Sequence, residues 1–213
     1  MSATARESWV ALMEDGHLVE MMLDRADSGR LLGDIYLGKV DAVLPGIQAA
    51  FVDIGADKAG FLHVSDLETE DEDDDNGGGG GGRRRGARQY PPIQGTLQKG
   101  QAIIVQVTKE PMGTKGPRLT AQVSLPGRFL VYMPGSSHVG VSRKIEDRGE
   151  RSRLRTLAKS ILPKDSGGII VRTVSEELNE DTFRKEFKRL SANWREILKK
   201  REGAKAPALL RRE

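Results

Sequence analysis

The chain has 213 residues, of which 37% are hydrophobic and 31% charged, and its formal net charge is +3. That length allows one or two compact domains. Because the chain contains no cysteine, disulfides, thiolate zinc sites and a cysteine nucleophile are excluded. No apolar run reaches the roughly 20 residues of a membrane-spanning helix, and Met1–Trp9 lacks the apolar segment of a signal peptide. We therefore expect a cytoplasmic protein without a membrane span.

The first predicted element is a β-hairpin. Two apolar runs, Trp9–Met13 and Leu18–Leu23, flank the turn dipeptide Asp15-Gly16. An Asp-Gly pair between apolar runs favours a tight hairpin turn. Since two strands alone are only marginally stable in water, we expect another surface to cover this hairpin.

Short strands separated by turns that contain glycine follow from Gly33 onward. Five are predicted, at Asp34–Val43, Ile47–Ile54, Gly60–Val64, Ile103–Val107 and Leu119–Val123. Five short strands of this kind are typical of an antiparallel OB-fold barrel. The segment 68–90, between the third and fourth strands, is rich in acids, glycines and arginines. It cannot form a core, so it is predicted to be a disordered insert in the barrel.

After Pro126 the pattern changes to a mixture of strands and helices. Strands are predicted at Phe129–Met133 and Gly168–Thr173, and a helix at Glu150–Leu162. A longer helix follows, and Ser175 or Asn179 is its candidate N-cap. The apolar face of that helix comprises Phe183, Phe187, Leu190, Trp194, Ile197 and Leu198.

Two aromatic residues lie on neighbouring strands of the predicted barrel. Phe51 is on the second strand and Phe61 on the third, and in OB barrels these strands form the nucleic-acid-binding face. An exposed aromatic on that face stacks on a base of single-stranded RNA. An alternative, in which the barrel binds proteins and both rings belong to its core, remains open. Candidate phosphate contacts around the rings are Lys39, Lys58, Lys109, Lys115 and Arg118.

The two strands carry the patterns Phe-Val-Asp-Ile-Gly, at Phe51–Gly55, and Gly-Phe-Leu-His, at Gly60–His63. Together they resemble the RNA-binding barrel named after the largest protein of the small ribosomal subunit. Further blocks extend the likeness along the chain, which as a whole resembles the ribonuclease E/G family. Those blocks are Gly33–Val40, Gln48–Gly55, Gly113–Thr120, Val131–Pro134, Gly140–Ile145 and Gly168–Thr173.

The resemblance implies four regions. Residues 1–32 would hold the hairpin that begins a ribonuclease-H-like subdomain, and residues 33–124 would form the RNA-binding barrel. Residues 125–205 would form a small α/β 5′-sensor region, and residues 206–213 would start the return to the ribonuclease-H-like subdomain. The expected fold is therefore α+β, with a five-stranded antiparallel OB-fold barrel inserted after the hairpin and followed by the 5′ sensor.

The resemblance also implies roles for individual residues. On the barrel, Phe51, Phe61 and Lys115 match RNA-contacting positions of the family. In the sensor, Arg172 and Thr173 match the pair that holds a 5′-terminal monophosphate, and backbone N–H groups near Gly127 are expected to complete that pocket. The other positions matched there are Gly127 and Val131, through their backbone, and Arg143 and Lys144, in a basic loop. The expected partner is single-stranded RNA, preferably with a 5′-monophosphate.

Catalysis in the family, as the resemblance implies it, depends on magnesium held by two aspartates of a later nuclease subdomain. No residue of this chain matches them, so we predict no catalytic or metal-binding residue here, and magnesium only for the full-length enzyme. Asp53 and the acidic run Glu68–Asp75 do not replace them, because a two-metal site needs rigidly held carboxylates. Asp53 is expected instead to end a strand at a turn.

Two functions remain open. The chain is either the RNA-binding and 5′-sensing part of an endoribonuclease that acts in RNA processing and decay, or a non-catalytic RNA-binding or ribosome-associated adaptor. We expect a fragment of a longer enzyme or a short natural relative. The full-length protein is expected to be capable of forming a homo-oligomer.

Overall fold

The computed structural model describes residues 2–3, 7–25, 30–67 and 90–213. Nearly all of the predicted insert, residues 68–89, lies outside the described residues. Among the helices that are described, none is long and apolar enough to cross a membrane.

The N-terminal strands form a sheet of their own. β1 (Ser2–Ala3) pairs with β2 (Glu7–Glu14), which pairs antiparallel with β3 (His17–Arg25). Asp15 and Gly16 both have positive φ, of 49° and 79°, as a tight turn of this kind requires. The predicted hairpin is therefore confirmed. Its apolar side chains at Leu12, Met13 and Leu18 remain more than half exposed.

Five strands close into a barrel. They are β4 (Ile35–Leu44), β5 (Ala49–Asp53), β6 (Gly60–His63), β7 (Ala102–Lys109) and β8 (Arg118–Thr120), with the short helix α1 (Ile93–Thr96) before β7. Their order is β4-β5-β6-β8-β7, and β4 also pairs with β7. All pairings are antiparallel except that of β6 with β8. The predicted barrel is confirmed, with one parallel pair.

The barrel interior is apolar because alternate residues of each strand point inward. Val52, Leu62, Val105 and Leu119 are all fully buried there. Gly60 has to be a glycine, because a Cβ at this position would lie 2.4 Å from Leu119 Cδ1. A side chain at Gly60 would therefore push β6 away from β8.

The second unit is a four-stranded sheet covered by two helices. Its elements are β9 (Leu125–Pro126), β10 (Leu130–Met133), β11 (Val139–Val141), α2 (Arg148–Ile161), β12 (Gly168–Val171) and α3 (Glu180–Gly203). The strand order is β11-β12-β10-β9. Asp147 caps α2, and Asn179 caps α3 by accepting a hydrogen bond from Thr182 N at 3.1 Å. Of the two predicted caps of α3, Asn179 is thus the one used.

A last strand, β13 (Ala208–Arg211), pairs antiparallel with β4 of the barrel. The fully buried Leu210 joins Ile35 and Leu37 of β4 to the core of the second unit. Asp34, only 2% exposed, accepts hydrogen bonds from Glu213 N and from the Tyr36 hydroxyl. Burial and the charge of Asp34 raise the pKa of Tyr36 to about 12. The segment that the sequence assigned to a ribonuclease-H-like return therefore extends the barrel sheet in the structure.

Candidate nucleic-acid interface

A row of side chains crosses the outside of the barrel. Phe51 of β5 is opposite Phe61 of β6, Phe61 is opposite Arg118 of β8, and Arg118 is opposite Lys109 of β7. Side chains that face each other across paired strands lie on the same side of the sheet. These four residues, which we call the barrel row, place two aromatic rings next to two cations.

The two rings of the barrel row contact each other edge to face, with centroids 6.1 Å apart and an interplanar angle of 67°. Phe51 is 37% exposed and Phe61 partly exposed, whereas their neighbours Val52 and Leu62 are fully buried inside the barrel. The alternative in which both rings belong to the barrel core is therefore wrong. Each exposed ring can stack on a base, a contact worth about 1–3 kcal/mol.

The cations near the barrel row differ in the protein groups that they already contact. Arg118 forms an ion pair with Asp66 at 3.0 Å and keeps 43% of its side chain exposed. Such a surface pair contributes about 1 kcal/mol at most, so Arg118 can still turn to a phosphate. Lys39 is exposed on β4, opposite Asp53 of β5. Asp53 closes a turn as predicted, with its Oδ1 accepting from Gly55 N at 2.8 Å.

Lys58 and Lys115 belong to one loop contact beside the row. Lys58 Nζ donates to Gly113 O, which ties it to the loop between β7 and β8. A Cβ on Gly116 would lie 1.9 Å from Ala59 O, so only a glycine lets this loop lie against the start of β6. Lys115 is exposed in that loop, and within the described part of the chain its ammonium group has no partner. Of these two lysines, Lys115 is the one free to meet an RNA phosphate.

A second polar cluster lies on the other unit, at the end of β12. Arg172 Nη1 donates to Gly127 O at 2.6 Å, and Arg172 N donates to Phe129 O at 2.8 Å. The hydroxyls of Thr173 and Ser142 are 3.0 Å apart. We call Arg172, Thr173, Gly127 and Ser142 the Arg172 cluster, since these contacts bring together three segments that are distant in the sequence.

The remaining residues predicted for the phosphate site surround this cluster. Arg143 and Lys144 are exposed and follow Ser142 directly, and Lys144 N donates to Ser142 Oγ at 3.4 Å. Arg151 of α2 donates to Ser142 O and so helps to hold the basic loop. Val131 lies half-buried in β10, opposite Ile170 of β12. Through its backbone Val131 also pairs with Pro126 of β9, and its place in the phosphate site stays a prediction.

One residue that sequence reasoning missed is Glu186 of α3. Glu186 is only 8% exposed. Its carboxylate accepts three backbone hydrogen bonds from the turn that contains Gly127. The donors are Arg128 N at 2.7 Å, Phe129 N at 2.8 Å and Leu130 N at 2.9 Å. The signal was present in the sequence, because Glu186 lies between Phe183, Phe187 and Leu190 on the apolar face of its helix.

This arrangement corrects one expectation about the phosphate pocket. Gly127 N donates to Leu130 O at 2.7 Å, and the other three N–H groups of the turn donate to Glu186. All four N–H groups are therefore bonded to protein acceptors. The prediction that backbone N–H groups near Gly127 complete the pocket is wrong for this structure. Side chains, above all Arg172, carry the free donors instead.

Within the described residues, no three His, Cys, Asp or Glu side chains come together in a way that could hold a metal ion. The described residues therefore offer no carboxylate cluster that fits a magnesium ion, which the resemblance implied only for the full-length enzyme. The interface described here consists of aromatic rings, cations and hydroxyls, which suit an RNA chain and its phosphates.

Comparison with known proteins agrees with this interface. Residues 32–122, which include the barrel row, match the family model described as S1 RNA binding domain. The barrel is therefore an S1-type RNA-binding domain. Residues 124–213, which include the Arg172 cluster, match the model described as Ribonuclease E/G family. The region 124–213 therefore belongs to the ribonuclease E/G family.

Individual relatives cover nearly the whole chain. Ribonuclease G of Haemophilus influenzae is 41% identical over 201 residues, which are 94% of this chain and 40% of that protein. Ribonuclease G of Escherichia coli K12 is 39% identical over 202 residues, 95% of this chain and 40% of the relative. Ribonuclease E of Nostoc sp. is 41% identical over 95% of this chain and 27% of its own length. The chain thus spans about 40% of the length of these ribonuclease G relatives.

Proposed function

We propose that this chain binds single-stranded RNA along the barrel row and holds a 5′-terminal monophosphate at the Arg172 cluster, as part of an endoribonuclease of RNA processing and decay. The observation that carries the proposal is the exposed pair of rings, Phe51 and Phe61, beside Arg118 and Lys109 on an S1 RNA binding domain. Exposed rings flanked by cations stack on the bases of single strands with little regard to sequence.

The chemistry of the Arg172 cluster suits a terminal phosphate. A guanidinium carries five N–H donors in a planar fork. In Arg172 the Nη1 atom is held by Gly127 O, which orients the fork while leaving donors for an anion. Two parallel hydrogen bonds from such a fork to a phosphate are short and strong. Arg143 and Lys144 add positive charge beside the cluster.

The paired hydroxyls of Thr173 and Ser142 supply a further donor. In a hydroxyl pair 3.0 Å apart, one group donates its proton to the other. The accepting hydroxyl then keeps its own proton for a third group. A phosphate oxygen bound by Arg172 is a suitable acceptor for that proton, so the pair would recognise an anion rather than a 5′-hydroxyl.

The nuclease activity is proposed from the relatives, which are named as ribonucleases G and E. Magnesium and the carboxylates that hold it belong, in this proposal, to parts of the enzyme other than the residues described here. A cytoplasmic location and assembly into a homo-oligomer are part of the same proposal.

Equilibrium binding of the 213-residue chain to one RNA sequence with three different 5′ ends tests the proposal. We expect the 5′-monophosphate form to bind more tightly than the 5′-hydroxyl and 5′-triphosphate forms by about 1.5–3 kcal/mol at moderate salt, the value of hydrogen bonds to a charged group. Equal affinities for all three forms would refute the phosphate-sensing part. Failure to bind any of the three would refute the assignment of the barrel row.

A further inference from the structure

The Glu186 carboxylate is buried against the Gly127–Leu130 turn and binds its backbone. Its Oε1 accepts from Arg128 N, and its Oε2 accepts from both Phe129 N and Leu130 N. Arg189, whose side chain is 61% exposed, approaches Glu186 Oε1 only to 3.4 Å. The dominant partners of this buried acid are therefore three backbone N–H groups, which together form an anion-binding concavity.

The opposite side of the same turn holds the arginine of the proposed phosphate site. Gly127 O accepts from Arg172 Nη1, and Phe129 O accepts from Arg172 N at 2.8 Å and from Ser175 Oγ at 2.8 Å. The carbonyl groups of the turn thus fix both the backbone and the guanidinium of Arg172. Among the hydrogen bonds described, none joins Glu186 to Arg172 directly, and the turn connects the two residues.

Only a carboxylate suits the three N–H donors. Two acceptor oxygens are needed, and a glutamine amide would place NH2 where one of them lies, so that donors would face donors. Space is also limited, because a Cβ on Gly127 would lie 2.8 Å from Glu186 Cδ and 3.0 Å from Leu130 O. The turn therefore fits closely around the acid, with a glycine at the point of contact.

We propose that Glu186 is a positioning residue for the 5′-phosphate site. It holds the Gly127–Leu130 turn so that Gly127 O orients the Arg172 guanidinium. It also occupies the N–H groups that an anion would otherwise bind, which leaves recognition to the Arg172 and Thr173 side chains. This inference rests on the proposed function of the Arg172 cluster, since positioning matters only if that cluster binds phosphate.

The test compares Glu186→Gln with two matched controls in the full 213-residue chain. Arg189→Gln removes the long ion pair and leaves the turn intact, and Glu196→Gln changes an exposed acid of the same helix. We expect Glu186→Gln to reduce the preference for 5′-monophosphate over 5′-hydroxyl RNA by about tenfold, equivalent to about 1.4 kcal/mol. Both controls should keep the preference of the unmutated chain, and all three variants should bind 5′-hydroxyl RNA as the unmutated chain does.

Several outcomes would overturn the inference. One is an unmutated chain that prefers the monophosphate together with a Glu186→Gln variant that prefers it equally. Another is an equal loss of affinity for both RNAs, which would indicate a purely structural role. An unmutated chain without any preference would instead refute the proposed function.

One further measurement covers the case in which Glu186→Gln does not fold, and a second extends the test to the case in which it does. Hydrogen exchange of the unmutated chain should be slow at the amides of residues 128–130, both free and with 5′-monophosphate RNA bound. Fast exchange at these amides would contradict the proposal that Glu186 holds the turn. Glu186→Gln combined with Arg172→Ala should lower the preference no further than Arg172→Ala alone, since both changes act on one group. A further loss of preference in the double variant would contradict the proposal that Glu186 acts through Arg172.

Discussion

The barrel row and the Arg172 cluster differ in how far their groups are already satisfied within the protein. On the barrel, Phe51 is 37% exposed and Lys115 has no side-chain partner within the described residues. In the Arg172 cluster, the guanidinium and both hydroxyls are engaged with protein groups. The first surface presents exposed rings and exposed cations, whereas the second holds its donors in fixed directions.

This difference predicts two kinds of recognition. Stacking on open rings tolerates any base and adds affinity for every single strand. Fixed donors favour one geometry of anion and add affinity only for RNA that carries it. The barrel row should therefore determine how tightly RNA binds, and the Arg172 cluster should determine which 5′ end binds best.

The largest effect is expected from removal of both rings. The double variant Phe51→Ala/Phe61→Ala should lose about 2–6 kcal/mol of binding free energy, because each stack is worth about 1–3 kcal/mol. The loss should be the same for all 5′ ends, as measured by fluorescence anisotropy. Phe51→Tyr/Phe61→Tyr keeps two stacking rings and serves as the control. A double alanine variant that binds like the control would contradict the assignment of the face.

A smaller but selective effect is expected from Arg172→Ala. Loss of hydrogen bonds to a charged group should weaken binding of 5′-monophosphate RNA by about 1.5–3 kcal/mol. Binding of 5′-hydroxyl RNA should change little, because the rings remain. Arg184→Ala removes an exposed arginine that pairs with Glu180 on α3 and is the control. If Arg172→Ala weakens both RNAs equally, the division between the two surfaces is wrong.

A pH-dependent effect on stability is expected where β13 pairs with β4 of the barrel, because Tyr36 of β4 donates a hydrogen bond to the buried Asp34. The pKa of Tyr36 is raised from 10.0 to about 12, so the folded state keeps a proton that the unfolded state loses first. Stability from this group is present below pH 10 and is lost as the pH rises toward 12. Between pH 9 and 11 the free energy of unfolding should fall by about 1.4 kcal/mol because of Tyr36.

Urea unfolding at both pH values measures this loss, and Tyr36→Phe is the comparison. Burial also raises the pKa of Tyr132, so the unmutated chain and Tyr36→Phe share that contribution. Their difference isolates Tyr36. An equal alkaline loss of stability in both proteins would contradict the coupling of Tyr36 to Asp34.

The smallest effect is expected from single lysines of the barrel face. Lys115→Ala should reduce the slope of log K against log salt by about 0.7, the value for one phosphate contact on a single strand. Lys159→Ala is the control, since Lys159 is an exposed residue of α2, which belongs to the second unit and not to the barrel. Equal slopes for the unmutated chain and Lys115→Ala would exclude Lys115 from the RNA path.

The barrel and its rings could be predicted because their signals are local. Strand positions follow from short apolar runs between turn residues such as Asp15-Gly16 and Pro45-Gly46. The exposure of Phe51 and Phe61 was expected from the resemblance of their strands to the RNA-binding barrel, and the structure agrees, since Phe51 is 37% exposed between the fully buried Ala50 and Val52. The barrel followed from the strand pattern, whereas the 5′-sensor region was expected from the family resemblance.

The parts that sequence could not supply depend on distant contacts. The pairing of β13 with β4 joins residues about 170 positions apart, and no local pattern encodes such a register. The role of Glu186 likewise depends on a turn more than 50 residues away. A lone glutamate in a charged helix usually indicates a solvated face. The sequence signal for the burial of Glu186 was its position among apolar residues on that face of the helix.

A double-mutant cycle tests the division between the two surfaces most directly. Phe61→Ala, Arg172→Ala and the combined variant are compared with the unmutated chain in binding to one 5′-monophosphorylated RNA. If the two surfaces hold separate parts of that RNA, their losses of binding free energy should add to within about 0.5 kcal/mol. Losses that fall clearly short of additivity, or a Phe61→Ala variant that also loses the 5′-end preference, would contradict the account.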